Sequence, residues 1–482
     1  MSGQTPVPSP GPIARRDADE RAARVRFRRA IALMLMTLVV PGSAQLVAGN
    51  RDLGRIAMRI WGALVVTGVV VVTASLLDHG IAFELASNTL VLGLLRFGLI
   101  LLALGWAFLF VDAWRIGQPL SLTYQHRRAV VGVNGLLCFS VAGALLFGSH
   151  LVAVQRDLIT TMFSSGEAVD ASAGRYNVAL LGGDAGAGRW GLRPDSITVA
   201  SIDVESGETV LISLPRNMTN FPFAEGSVMD EQFPDGFDAD YLNGVSTWAG
   251  DRTELFGKSD NPGVDATIMA IEGITDLDIN YWAMVNLEGF KDLVDAFGGV
   301  TLEVRDEIPV GLPHESYFHY IEPGTRTLDG VETLWFARAR YGSDDYSRMA
   351  RQKCVMAAML KQVSPQAALA NFQQIASASS AMVSTSIPTS EVGRFLELAL
   401  KAKNQKIATV SLVPPLVNTA DPDVDEIHDL VALAIDRAEG DAPAPAPKKK
   451  KKPAPTGTTG GSIGSLAEGY AANQSADLGA SC

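Results

Sequence analysis

The run Tyr176-Asn177-Val178-Ala179-Leu180-Leu181-Gly182-Gly183-Asp184 is followed, after a glycine-rich interval, by Arg193-Pro194-Asp195-Ser196-Ile197-Thr198-Val199-Ala200 and then by Val210-Leu211-Ile212-Ser213-Leu214-Pro215-Arg216. β-Branched and apolar residues dominate all three runs, and Gly and Pro punctuate them. The pattern predicts strands over 176–181, 196–202 and 208–214, with a glycine loop after the first and a turn at 203–207 before the third. Within the interval, Gly186-Ala187-Gly188-Arg189-Trp190-Gly191 matches the dinucleotide fingerprint G-x-G-x-x-G. That fingerprint requires a helix directly after it and an acidic residue about 20 positions on. Here Pro194 and the strand-like run from Asp195 leave no room for the helix, so a dinucleotide site is not expected.

Further along, residues 261–275, 287–297 and 347–363 carry apolar residues at helical spacing, the second stopping at Gly298-Gly299. Residues 300–304 read as a strand, and 333–336 as a strand or the entry to a helix. Strands and helices alternate without a clean βαβ repeat. The expected fold is α/β, a three-layer α/β/α sandwich with a mixed central sheet over residues 174–440. That segment holds 20 Lys and Arg against 39 Asp and Glu, in a chain of net charge −12. Such an acidic domain repels nucleic acid, so no nucleic-acid partner is expected. The three cysteines, Cys138, Cys354 and Cys482, make neither a disulfide framework nor a metal site by their spacing, and a Cys354–Cys482 bridge is given little weight. From 441 to 482 the chain is Ala/Pro-rich, then Lys-rich at 448–452, then Gly/Ser/Thr-rich, which reads as a disordered tail.

The sandwich is preceded by a helical transmembrane region over 31–149, after a basic tail at 1–30 that stays cytoplasmic by the positive-inside rule. Stretches 60–77, 90–112 and 129–149 are long enough to span. Arg51, Arg55 and Arg59 precede the first, and Arg115, Arg127 and Arg128 separate the second from the third, whereas the loop at 78–89 has no Lys or Arg. The order in, out, in, out follows, which places the linker 150–173 and everything after it outside the cell membrane. Pro41, Gly42, Ser43 and Gln45 interrupt 31–49, which reads as re-entrant or interfacial.

Arg193 precedes the second strand and Arg216 follows the third. Arg338, Arg340, Arg348 and Arg351 fall within fourteen residues of an otherwise acidic domain. Like charges gathered together call for an anion, and guanidinium forks match phosphate oxygens in a bidentate way. Taken singly, each arginine has a plain alternative, pairing with a nearby carboxylate; for Arg351, three residues after Arg348, Asp344 or Asp345 would serve. Asp184 and Asp195 flank the glycine loop. They form either a pair that holds a divalent cation with phosphate oxygens, or a turn cap and an arginine partner. His314 and His319 read as surface residues.

Taken in order, these blocks resemble the LytR–CpsA–Psr family of cell-wall polymer ligases. The resemblance rests on Leu181-Gly182-Gly183-Asp184, Arg193-Pro194-Asp195-Ser196, Ser213-Leu214-Pro215-Arg216-Asn217, Tyr241-Leu242-Asn243, Ile279-Asn280-Tyr281-Trp282, Gly298-Gly299-Val300, and Arg338-Ala339-Arg340 through Arg351-Gln352. It implies that Arg193, Arg216, Arg338, Arg340, Arg348 and Gln352 bind the diphosphate of a polyprenyl-diphosphate-linked glycopolymer. It also implies that Asp184 and Asp195 hold Mg2+ (or Mn2+), and that Asp195, Arg216 and Arg338 serve catalysis. The implied reaction moves the polymer onto a peptidoglycan acceptor at the membrane of a Gram-positive cell. Hydrolysis of the same lipid, or lipid binding without catalysis, are the other outcomes such a pocket allows. Asn217-Met218 departs from the family's Asp-Ser or Asp-Thr, and Pro194 replaces a small hydroxyl residue, which bears on acceptor fit more than on diphosphate binding.

Overall fold

The computed structural model describes residues 12–183, 193–340, 344–362, 383–403, 405–440, 473 and 476–478. It divides into two compact units, Met1–Arg156 and Asp157–Cys482.

The first unit is helical: α1 (Pro12–Val39), α2 (Ser43–Ala48), α3 (Arg51–Leu77), α4 (His79–Ser87), α5 (Thr89–Ile116) and α6 (Tyr124–Met162). Three of these stretches, Arg51–Leu77, Thr89–Ser121 and Tyr124–Met162, are long and apolar enough to cross a membrane, and they contain 60–77, 90–112 and 129–149. Residues 31–49 are the end of α1, a break at Pro41-Gly42, and α2. Gly42 has φ of 93°, and a Cβ there would lie 2.7 Å from the Gly54 carbonyl of α3, so only glycine fits the turn. The fully buried Gln45 fixes α2 by donating Nε2 to the Leu109 carbonyl of α5 at 3.0 Å. The expected linker at 150–173 is helical as far as Met162.

In the second unit, β1 (Arg175–Gly183), β2 (Pro194–Asp203) and β3 (Thr209–Leu214) form the three predicted strands. The chain continues through α7 (Val228–Gln232), α8 (Val245–Gly250), α9 (Pro262–Thr275), β4 (Tyr281–Asn286), α10 (Leu287–Ala296), β5 (Val300–Val304), β6 (Ile308–Val310), β7 (His319–Ile321) and β8 (Gly324–Leu328). It ends with α11 (Gly330–Arg338), α12 (Asp345–Gln362), β9 (Val383–Thr385), α13 (Val392–Lys403), β10 (Ala408–Ser411) and α14 (Val424–Glu439). The main sheet has the order β10-β3-β2-β1-β4-β9. It is mixed, because β1 is antiparallel to β2 but parallel to β4, and β10 is parallel to β3. The antiparallel β1–β2 pair is not the parallel βαβ unit that a dinucleotide site needs.

Alternating side chains explain the layers. Ala179, Leu181, Ile197, Val199, Val210 and Ile212 point to one face, where they pack with Val264, Ala270 and Ile271 of α9 and Ile427 and Val431 of α14. Tyr176, Val178, Ala200 and Leu211 point to the other, against Leu398 of α13 and Ala357 of α12. The result is an α/β/α sandwich. A second core joins Val294 of α10, the small strands β5 to β8, Phe336 of α11, and Val355 of α12.

Residues 333–336 take the helical of their two expected readings and lie in α11, whose start is fixed by a capping box between Asp329 and Glu332. Two details differ from expectation. Part of the expected tail at 441–482 is ordered: Leu478 is buried against Ala200, Leu211 and Ala357, and it donates its amide to the Ile407 carbonyl beside edge strand β10. Cys354 is disulfide-bonded and Cys138 is free, so the low weight given to a bridge at Cys354 is corrected; Cys482 lies outside the described residues.

Candidate active site

Between β1, β4, α10, α11 and α12 lies a cavity of about 470 Å³ whose two ends differ in chemistry. One end is lined by Asp195, Arg216, Arg338, Arg340, Arg348 and Gln352. The other is lined by apolar side chains, among them Leu180, Phe290, Leu293, Leu334, Met356 and Met359. Six of the eight residues predicted for the site therefore meet in one place. Arg193 does not line the cavity; it is half-exposed and paired with Asp240. Asp184 lies outside the described residues.

The local fold explains why these side chains converge. The β1–β2 register passes from Gly182 opposite Ser196 to Gly183 opposite Pro194, which leaves Asp195 as the extra residue of a bulge at the cavity edge. Gly182 permits the close pairing, since a Cβ there would stand 3.1 Å from the Ser196 Cβ. Arg216 follows β3 and ion-pairs with Asp195 through Nη1. Asn243 donates Nδ2 to the same Asp195 oxygen at 3.5 Å and its amide to the Arg216 carbonyl at 3.0 Å. Arg338 is the last residue of α11, its guanidinium 5.1 Å from the Trp335 ring centroid. Arg348 lies in the first turn of α12, only 3 % exposed, and donates to the Asp195 carbonyl at 2.8 Å.

Asp345 is the hub of the charged end. It takes a bidentate pair from Arg348, with Nε and Nη2 both at 3.1 Å. Arg216 Nη2 stands 3.2 Å away and Arg340 Nη1 3.9 Å away. Burial alone would raise the Asp345 pKa, yet Arg348, Arg216 and Arg340 outweigh it and hold the carboxylate below its ordinary value. Burial would also lower the Arg216 pKa, but Asp345 and Asp195 push it up. Arg348 is the reverse case: burial dominates and its pKa is lowered despite Asp345.

Three guanidiniums, those of Arg216, Arg340 and Arg348, thus share two carboxylates, Asp195 and Asp345. Among the described residues no carboxylate lies within ion-pair distance of Arg338. Counting Arg338 with them, the described residues of the cluster carry an excess of about two positive charges, the charge a doubly substituted diphosphate would neutralise. Neighbouring carboxylates therefore do not account for the cluster, although each of Arg216, Arg340 and Arg348 does touch one.

Arg351 takes a role the sequence did not give it. It is 1 % exposed and donates Nε to the Phe336 carbonyl at 2.7 Å and Nη2 to the Ala339 carbonyl, tying the end of α11 to α12. Burial, with Arg348 adding to it, lowers its pKa to about 10. Asp344 caps α12 by accepting the amides of Tyr346 and Ser347 at 2.8 and 2.9 Å. Sequence reading missed Asp345 as the shared partner, although its place three residues before Arg348 was the available signal. It also gave Asn243 no role. His314 and His319 are exposed.

Asp195 is the one member of the expected metal pair among the described residues. Its carboxylate lines the cavity and is engaged by Arg216 and Asn243, and among the described residues no group of three or more His, Cys, Asp and Glu is placed to hold a metal ion.

Comparison with known proteins gives a match to the model of the LytR_cpsA_psr family over residues 151–425. Among curated relatives, Biofilm regulatory protein A of Streptococcus mutans serotype c is 29% identical over 234 residues, covering 47% of this chain and 53% of that one. The polyisoprenyl-teichoic acid–peptidoglycan teichoic acid transferase TagU of Bacillus cereus is 28% identical over 213 residues, 44% of this chain and 60% of that one. The chain thus spans between half and two thirds of the length of these relatives. A crystal structure of TagV from B. subtilis aligns at a TM-score of 0.41 with 22% identity, over 56% of this chain and 100% of that chain.

Proposed function

The chain belongs to the LytR_cpsA_psr family, and we propose that it is a membrane-anchored transferase that moves a glycopolymer from a polyprenyl diphosphate to peptidoglycan. The observation that carries this reading is the cavity lining: among the described residues, four guanidiniums and the single carboxylate of Asp195 at one end, and Leu, Met and Phe at the other. An amphiphile with a diphosphate head and an isoprenoid tail has that shape and charge. The relatives named as teichoic acid transferases support a polymer-transfer role in general.

The proposed step is phosphoryl transfer, in which catalysis is mostly positioning and charge neutralisation. Arg216, Arg338, Arg340 and Arg348 hold the diphosphate, with Gln352 as a further hydrogen-bonding group at the wall. A sugar hydroxyl of peptidoglycan attacks the polymer-side phosphorus. A phosphodiester P–O bond forms, the bridging P–O bond breaks, and polyprenyl phosphate departs with the electron pair, its charge met by the arginines. Asp195, oriented by Arg216 and Asn243, directs the attacking hydroxyl, whose proton passes to solvent as the new P–O bond forms. Asp184 and Asp195 are the residues that would hold Mg2+, which when bound would add charge neutralisation at the phosphate oxygens.

The three apolar helices of the first unit fit a membrane anchor. The arginine bias of their loops favours a cytoplasmic N-terminus and an extracytoplasmic second unit, where carrier lipids of the outer leaflet are within reach.

The test uses the full chain in detergent with a polyprenyl-diphosphate glycan, Mg2+ and peptidoglycan. Wall-linked glycan is the expected product, and loss of it in both Arg338→Ala and Asp195→Ala variants that remain folded supports the site. Free phosphate-terminated glycan in place of wall-linked glycan would make the protein a hydrolase, and full activity in both variants would refute the site.

A further inference from the structure

The hairpin β6–β7 is not used by the reaction above, yet it carries the densest exposed aromatic surface described in the second unit. Its loop reads Gly311-Leu312-Pro313-His314-Glu315-Ser316-Tyr317-Phe318. Tyr317 is 54 % exposed and Tyr320 37 %, and the Phe318 and Tyr320 rings meet edge to face at 5.1 Å.

The loop is built, not loose. Gly311 has φ of 84°, and a Cβ there would lie 2.8 Å from Tyr317 Cε2, so the tyrosine ring rests against glycine backbone. Glu315 accepts the Leu312 amide at 2.5 Å and also hydrogen-bonds the Tyr317 hydroxyl. His319 Nδ1 stands 2.9 Å from the Tyr317 carbonyl, and its other ring nitrogen is 3.9 Å from Glu332 of α11. The Tyr317 ring is thus fixed before anything binds, which lowers the ordering cost of a contact.

Its location points to the occupant. The hairpin stands on α11, whose last residue is Arg338 at the cavity wall. The hydrogen bond to Glu315 raises the Tyr317 pKa, against a smaller lowering by the Arg338 guanidinium. A lipid-linked polymer held by the arginines must carry its sugars out past the rim of the charged end. Sugar rings offer C–H faces to aromatic rings and hydroxyls to carboxylates, and this surface supplies both, with Glu315 on the Tyr317 hydroxyl and Glu332 3.9 Å from His319.

We propose that Tyr317, with Tyr320, forms a glycan-stacking subsite that receives the sugar next to the diphosphate and sets which polymer is accepted. The inference rests on the lipid-diphosphate reading of the cavity. Exposed aromatics also suit a bilayer interface, but residues 305–332 hold six carboxylates against two arginines, and the surface of an anionic leaflet repels that charge.

Binding is measured with the full chain in detergent, using undecaprenyl diphosphate and the same lipid bearing one N-acetylglucosamine. The wild type is expected to bind both. Tyr317→Ala is expected to weaken the sugar-bearing ligand about ten-fold, in the range of ring stacking, and to leave the sugar-free ligand within about two-fold. Tyr317→Phe, which keeps the ring, restores most of the loss and shows that the change is not one of folding. Equal loss for both ligands, as a bilayer or headgroup contact would give, overturns the inference, as does no loss for either. If the wild type binds neither ligand, the lipid-diphosphate reading itself fails and this inference with it.

Discussion

The charged and apolar ends of the cavity are built by different physics. At the charged end, Arg348 is locked by a bidentate pair to Asp345, Arg216 bridges Asp195 and Asp345, and Arg351 ties the α11 carbonyls to α12. Each group has one orientation because each hydrogen bond dictates it. At the apolar end Leu293, Leu334, Met356 and Met359 offer area and adjustable shape, with no polar atom to dictate a pose. The charged end should therefore be intolerant of single changes, and the apolar end forgiving.

The largest break is expected at Asp345. Asp345→Ala leaves Arg348, 3 % exposed, without its carboxylate, a change that costs about 3–5 kcal/mol when one partner of a buried pair is removed. Thermal unfolding should show a fall in Tm together with loss of transfer; an unchanged Tm would mean the hub does not organise the arginines. Arg338→Ala comes next and separates binding from folding. Since no carboxylate among the described residues pairs with Arg338, stability should hold while transfer falls by about 10²–10³, the loss typical of one preorganised charge-stabilising donor. A parallel loss of Tm would contradict the division of labour.

A smaller effect follows from pH. The Asp345 pKa is depressed in the fold, so its stabilising contribution is fully present above the unfolded-state value near ~3.9 and is lost as pH falls through the lower folded value. The acid limb of the Tm profile should lose that component in Asp345→Asn; identical limbs would show that the three arginines do not hold the carboxylate. The smallest effect belongs to the apolar end, where Met356→Leu should change stability by less than about 1.5 kcal/mol and leave turnover close to wild type. A large loss there would make the apolar end as specific as the charged one.

The same division decides what the sequence could reveal. Short β-branched and apolar runs at 176–181, 196–202 and 208–214, bounded by Gly and Pro, report strands that must be buried, so the first three strands and the layered sandwich were legible. Clustered arginines in an acidic domain also report themselves, because repulsion of like charges needs an explanation at any distance. Pairing geometry does not. Nothing in a linear list says that Asp345 serves Arg216, Arg340 and Arg348 at once, or that Arg193 turns to Asp240. Strand β4 was quoted for its Tyr281-Trp282 motif but not recognised as a strand, since five of its six residues are only half-buried and the burial pattern does not alternate. Leu478 looked like part of a featureless tail because its partners, Ala200, Leu211 and Ala357, lie more than a hundred residues away.

The most direct test of the account is ligand binding to the full chain in detergent, comparing undecaprenyl diphosphate with undecaprenol in the wild type and in Arg338→Ala. One undecaprenyl diphosphate should bind per chain, undecaprenol should bind much more weakly, and the variant should selectively lose the diphosphate preference. Equal affinity for the two lipids, or a preference untouched by the substitution, would contradict the claim that these guanidiniums converge to hold a lipid diphosphate.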